Sequence, residues 1–478
     1  MTTALHGTKR VRRSKRRNSS LRGWMIGFVA LAYSSIFMNA GWACIGYGLI
    51  GTATFQLLVA QDRPFMIRWI IIFMAVTQNV LAPHWYYLGA YAHYKYGMYV
   101  DIETYMPIAA SSMIALTAGL LCFGNRTEAK LQQIAFHRIP DILRVAPLFP
   151  FALLGLSISG SLVASVYPGI GFIGILLANL KYPAALLLLL SRRPDRYVWL
   201  TTIMLISLLE ALATSLFHDI SLWGILISGL FVHVHRTSVS LKTLGLGVLI
   251  SFVLILQSVK NDYRQVVWAG DADQNSAIYI DLASDRLVDL LNGRIPIDEI
   301  WGQMVMRLNQ GWVVSAVIDT VPEREPYANG ETISDAVYAS FVPRILAPDK
   351  TISGGRENFL RFTGLELHRS ASIAIGLIGE AYANFGPWGG PVLLFLYGVS
   401  VTLAMRMILI IGNRFPVLVI FLPNIFLHAI KTETEFVTVL NFMSKSGIFH
   451  LVLGLVLFEL LRQKHVETRF QRSPLITK

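Results

Sequence analysis

Gly379-Glu380-Ala381-Tyr382-Ala383-Asn384-Phe385-Gly386-Pro387-Trp388-Gly389 closes a long polar segment, residues 259–391, that lies between two hydrophobic blocks. The glycines and the proline mark a turn, and an apolar run long enough to cross a bilayer begins at residue 388. A chain that carries one large, Arg-bearing loop among otherwise short connections places its chemistry at one membrane face.

Outward from that stretch, composition sets the class. Hydrophobic residues make up 54% of the chain and charged residues only 15%, with a mean hydropathy of +0.54, which excludes an ordinary soluble protein of this length. Apolar runs of roughly 17 to 25 residues recur, and in lipid only helices or closed barrels satisfy the backbone. The runs are too long and too uniformly apolar for alternating barrel strands. The expected fold is therefore all-α and polytopic, with about 12 transmembrane helices. They are read at 24–40, 43–60, 67–83, 105–124, 145–160, 169–190, 197–217, 220–235, 242–258, 388–411, 415–430 and 446–461.

Residues 1–23 contain eight Lys and Arg and no acid, the mark of a cytoplasmic tail rather than of nucleic-acid binding. With both termini inside, the inner segments carry 26 Lys and Arg and the short outer loops only Lys95, Lys431 and Lys445. The division that follows is a tail (1–23), nine spans (24–258), an external loop domain (259–387), three spans (388–461) and a second tail (462–478). Cys44 and Cys122 fall in separate spans and suggest neither a disulfide nor a metal site.

The loop proper, 259–370, holds 11 Lys and Arg against 16 Asp and Glu. Periodicity predicts an amphipathic helix over 276–291 and another over 298–320, lying on the membrane surface or capping the spans. Beyond them come Tyr327, Gly330 and Thr332, then Pro343-Arg344-Ile345-Leu346-Ala347-Pro348-Asp349-Lys350. Two prolines stiffen the backbone around Arg344, and a guanidinium with limited freedom suits an anion.

These residues resemble the Wzy-type polymerases of bacterial O-antigen and exopolysaccharide repeat units, a family with a glycosyltransferase-C-like architecture. The resemblance rests on four features: a late, large external loop; Tyr327-x-x-Gly330-x-Thr332; Pro343-Arg344 through Pro348-Asp349-Lys350; and Gly379-Glu380-x-Tyr382-x-Asn384-Phe385-Gly386. It departs from the family at His368-Arg369-Ser370-Ala371-Ser372, where a Thr-Ser pair is expected. What it implies is transfer of a growing glycan from undecaprenyl diphosphate to the non-reducing end of a lipid-linked repeat unit. The reaction would take place at the periplasmic face of the inner membrane, without nucleotide sugar, metal or cofactor. A flippase and a chain-length regulator are the implied protein partners, beside the lipid-linked oligosaccharide and the bilayer; no nucleic acid is implied.

For that chemistry Arg344, Lys350 and Arg369 are expected to hold diphosphate, with Arg264 and Arg356 as further cations, because a fixed fork pairs bidentately with phosphate oxygens. The acceptor hydroxyl benefits from a base, and Glu380 and His368 are the candidates. The alternative for Glu380 is an ion pair with an Arg. Tyr327 and Tyr382 of the motifs are candidate substrate contacts, as is Glu433, which with Glu435 lies at the next external turn and either completes the site or is simply solvated. Asp271 and Asp273 read as a polar turn, and Lys181 and Glu210, at similar depth in neighbouring spans, are expected to pair. The aromatics from His84 to Tyr99 read as an interfacial belt or a sugar platform. An O-antigen ligase and a lipid-linked oligosaccharide flippase remain open, although a flippase needs no loop of this size.

Overall fold

A computed structural model describes residues 21–60, 63–89, 96–123, 125–166, 171–214, 217–248, 251, 259, 263, 276–342, 354–367 and 372–472. All regular elements among them are helical. Down the chain these are α1 (Leu21–Phe37) and α2 (Gly41–Ala60), α3 (67–87), α4 (Ile102–Leu121), α5 (Asn125–Val145) and α6 (Phe149–Val166). Next come α7 (Phe172–Leu190), α8 (Arg196–Thr214), α9 (Phe217–His235) and α10 (Val239–Val248). The remainder are α11 (Ser276–Leu291), α12 (Ile297–Leu308), α13 (Gly311–Thr320), α14 (Glu331–Phe341), α15 (Arg356–Thr363), α16 (Gly376–Arg414) and α17 (Phe436–Arg472).

Among the described residues five helices are long and apolar enough to cross a membrane, namely α2, α4, α7, α16 and the Phe436–Leu457 part of α17. A sixth is added if the stretches Thr127–Val145 and Phe149–Ala164, which meet at 89°, form one broken span. The expected dozen is larger; its span 242–258 lies largely outside the described residues, and two others take a different form. Helix α1 is short, and Pro416 and Pro423 divide the expected span at 415–430 into a 3-10 helix and two single turns. The first hairpin does turn where expected, with Asn39 and Gly41 both at positive φ.

Helices α4 and α16 pack along each other at Gly119 and Gly398. A Cβ on Gly119 would lie 2.2 Å from the Phe395 carbonyl oxygen, and one on Gly398 would lie 2.8 Å from that of Leu116. Small residues at such crossings let two backbones approach within contact, which is how helices gain van der Waals energy in lipid.

Part of the expected external loop is buried in the same hydrophobic core as the long helices. Helix α13 has Trp312, Val313, Val314, Val317 and Ile318 in that core. It is entered through a break in the predicted 298–320 helix, where Asn309 is extended. The cause is a partner outside the helix. Residues 77–81 of α3 form a π-turn, which frees carbonyls: Gln310 N–H donates to Gln78 O at 3.0 Å and the Tyr105 hydroxyl to Asn79 O at 2.9 Å. The aromatics near α3 strengthen this attachment. Trp85 meets Trp301 at 4.9 Å between ring centroids, Tyr96 meets Trp312 at 5.2 Å, and Trp85 Nε1 donates to the Tyr47 hydroxyl at 3.0 Å. These described rings tie α12 and α13 to α3 and the segment after it, and α3 to α2.

Candidate functional site

The two glycine-bearing motifs meet. The Tyr327–Gly330 turn lies against the first part of α16, with Ala328 N–H donating to Ala383 O at 2.9 Å and Asn329 N–H to Asn384 O at 3.2 Å. Gly330, at φ 93°, ends the turn and starts α14. Helix α16 is itself kinked at Gly386, whose φ of 66° and ψ of −166° suit only glycine. A Cβ there would also come within 3.0 Å of the Tyr327 ring. The kink thus separates a largely buried first segment, 376–385, which carries Glu380 and Asn384, from the long apolar one.

At the centre of this junction is Glu380, fully buried. Its Oε1 accepts from the Thr332 hydroxyl at 2.8 Å, and its Oε2 accepts from Phe436 N–H at 2.7 Å. Asn384, one turn on, completes the set. Its Nδ2 donates to Thr332 Oγ1 at 2.7 Å and to Glu380 O at 2.8 Å, while its Oδ1 accepts from Gly330 N–H at 3.0 Å. Every polar atom of the Asn384 amide is used, so its orientation and that of Thr332 are fixed. Among the described residues Glu380 has no ion-paired Arg; a hydroxyl and a backbone amide hold its carboxylate instead.

A second buried acid lies beside it. Glu435 Oε2 accepts from Asn358 Nδ2 at 2.8 Å, and its Oε1 from Ile375 N–H at 3.2 Å. Burial pushes the Glu435 carboxyl above the usual range and the nearby Glu357 carboxylate adds to the shift, with the Asn358 and Ile375 donors opposing it. Over these two buried acids opens a cavity of about 160 Å³, lined by Glu331, Thr332, Asp335, Glu357, Asn358 and Arg361, with Val437 of α17. Arg361 spans its rim, donating through Nε to Glu325 at 2.6 Å and through Nη1 to Glu331 at 3.0 Å.

The other candidates are distributed around this centre. Tyr327 and Tyr382 face each other with ring centroids 6.2 Å apart; Tyr382 is buried, so its ring packs the junction and leaves the cavity lining to others. Arg356 donates to Leu367 O at 3.0 Å. Glu433 is directed to another cluster: its carboxylate lies 3.0 Å from His218 Nδ1 and accepts from Gln78 Nε2 at 3.2 Å. Burial works to raise the Glu433 carboxyl, but the His218 ring, Lys431 and Gln78 together hold it below the usual range. In the same turn Lys431 pairs with Asp219. Lys181 pairs with Glu210, as their matched depth predicts. Arg264, Arg344, Lys350, His368 and Arg369, and likewise Asp271 and Asp273, lie outside the described residues.

Several cavity residues carried no motif signal. Glu331 and Asp335 carry no motif of their own and come to the cavity through α14, and Asn358 gains its place only because α15 packs against the turn that carries Glu435. Arg361 was legible as a cation of the loop, but its two carboxylate partners were not.

Fold and site together define an all-helical protein with several helices apolar enough for a membrane and a polar, acid-based junction at the start of one of them. The chain belongs to the family described as a domain of unknown function, DUF8712, which it matches over residues 62–468. No curated protein matches the chain, and no solved structure does.

Proposed function

We propose that this protein is a glycosyltransferase of the bacterial inner membrane that polymerises undecaprenyl-diphosphate-linked oligosaccharide repeat units at the periplasmic face. It crosses the membrane with more segments than the five or six unbroken ones, and its termini are cytoplasmic. The observation that carries the reading is the meeting of the two motif segments, Tyr327–Thr332 and Gly379–Gly386, around Glu380 beneath a polar cavity.

In the reaction the acceptor hydroxyl oxygen forms a bond to the anomeric carbon of the growing glycan. The bond from that carbon to the undecaprenyl diphosphate oxygen breaks, and the lipid diphosphate keeps the electron pair. The acceptor proton passes to a carboxylate of the cavity or to His368. Glu380, with both oxygens engaged, serves chiefly to orient Thr332. Arg344, Lys350 and Arg369, with Arg264, take up the charge that develops on the diphosphate, where a fixed guanidinium is worth on the order of 3 kcal/mol.

The test is extension of a purified lipid-linked repeat unit by the purified protein. A ladder of polymer lengths, lost in Glu380→Ala with the protein still folded, supports the reading. Movement of the lipid-linked unit across vesicles without any new glycosidic bond would replace it with a flippase. Transfer of one glycan to lipid A core, with no polymer, would replace it with a ligase.

A further inference from the structure

The cavity between α14, α15 and the start of α17 has a lining whose hydrogen-bonding capacity is strongly one-sided. The Thr332 hydroxyl has committed its hydrogen to Glu380, so towards the cavity it can only accept. Asn358 has one amide hydrogen committed to Glu435. Arg361, the cation of the lining, is already engaged by Glu325 and Glu331. Asp335 and Glu357 have no such partner among the described residues, and both are exposed to whatever enters. The spacing is what brings them to one place: Thr332 and Asp335 share a face of α14 at i and i+3, while Glu357 and Arg361 share one of α15 at i and i+4.

Three carboxylates against one guanidinium leave the lining two charges negative. Such a surface is complementary to groups that donate hydrogen bonds, and it repels a carboxylate or phosphate. On the reading given above as the proposed function, two substrates must bind: a lipid diphosphate and an acceptor sugar. The cavity suits only the second. We propose that it is the acceptor-sugar site, taking a sugar that presents hydroxyl or ammonium donors and excluding one that bears a carboxylate, with Asp335 and Glu357 as the residues that set this preference.

The acceptor and the diphosphate are then sorted by charge before any chemistry occurs. Hydroxyl donors meet the acceptor atoms of Thr332, Asp335, Glu357 and Asn358, and an ammonium group gains from the uncompensated negative charge. A uronic acid would have to approach the same two carboxylates, and among the described lining residues the one cation, Arg361, is already paired with Glu325 and Glu331. Specificity is a difference of affinities, so repulsion of the wrong charge adds to attraction for the right one.

Saturation-transfer NMR on the full-length protein in a neutral detergent tests this with three probes: a methyl hexopyranoside, its 2-amino-2-deoxy counterpart and a methyl hexuronoside. The first two are expected to receive magnetisation, and the hexuronoside about tenfold less, the size of a modest like-charge penalty. The double variant Asp335→Asn with Glu357→Gln should abolish the difference between the amino sugar and the uronate. Because both side chains are exposed, its melting temperature should match the wild type. Equal transfer to the uronate in the wild-type protein, no transfer to any probe, or an unchanged preference in the double variant would each overturn the proposal. The polymerisation assay is read separately. Selective sugar binding without polymer would end the polymerase reading and leave the site standing, whereas polymer formation with uronate-tolerant binding would end this inference alone.

Discussion

The Thr332 hydroxyl donates to Glu380 Oε1 at 2.8 Å and so joins two segments 48 residues apart in the chain. The bond is buried at both ends, and the same oxygen of Thr332 receives the Asn384 amide at 2.7 Å. One small hydroxyl therefore satisfies a carboxylate and an amide at once, where water would otherwise have to enter.

Its removal should be costly and specific. Thr332→Val keeps the volume but leaves a buried carboxylate oxygen and an amide hydrogen unpaired, a loss of about 1–3 kcal/mol for each such group. Thr332→Ser keeps the hydroxyl and should lose far less. Thermal unfolding in detergent, followed by tryptophan fluorescence, should rank wild type and Ser above Val. Equal midpoints for Ser and Val would show that the hydroxyl does not hold the junction.

Gly355 offers a test of how α15 is seated. Its φ of +74° is strained for any other residue, and a Cβ there would lie 2.5 Å from Ala374 Cα, which is backbone and cannot swing aside. Gly364, at the other end of α15, has a φ of +64° but open space around it. Gly355→Ala should therefore cost the backbone strain, on the order of 1–3 kcal/mol, plus a steric term, while Gly364→Ala carries strain alone. The ordering of the two melting temperatures checks this, and a Gly355→Ala protein as stable as Gly364→Ala would mean that α15 is not seated as described.

The sequence showed what depends on local pattern. The amphipathic face of Ser276–Leu291 predicts its helix because every third or fourth residue repeats, and the Lys181–Glu210 pair follows from counting residues up two spans. The break before α13 was not legible, since it depends on a carbonyl that a π-turn in α3 releases more than two hundred residues earlier. Nor was the partner of Glu380. An ion pair with an Arg was one expectation, whereas Thr332 and Phe436 N–H hold it, and neither donor is signalled by charge. Glu435 was legible as an acid of the late external turn, whereas Asn358 entered the site through packing of α15 against that turn, which no spacing rule reports.

Glu435 gives a pH dependence with a defined sign. Burial, with Glu357 nearby, raises its carboxyl in the folded protein, and the buried Glu380 lies in the same junction. A raised acid contributes stability that is fully present below its ordinary titration range and is lost as pH rises through the folded-state value. Glu435→Gln does not titrate but keeps an acceptor of the same shape. The melting temperature of the variant should therefore gain on the wild type as pH rises above the ordinary carboxyl range, because only the wild type must charge the buried Glu435. A gap that closes with rising pH would reverse the assignment.

The proposed polymerase makes its sharpest demand on Arg344. Arg344 stands between Pro343 and Pro348 in the sequence, with Asp349 and Lys350 following, and the proposal gives it the developing diphosphate charge. A fork that pairs with two oxygens is not replaced by the point charge of a lysine. Arg344→Ala should thus lower polymer formation by roughly two to three orders of magnitude, the usual effect of removing one transition-state donor. Arg344→Lys should recover only part of that loss. Both should insert in the membrane and melt like the wild type, since the proposal places this one charge outside the spans. Gel analysis of the lipid-linked products separates the outcomes: full-length polymer from Arg344→Ala would take this residue out of the reaction, and equal activity of Lys and Arg would show that charge alone is needed.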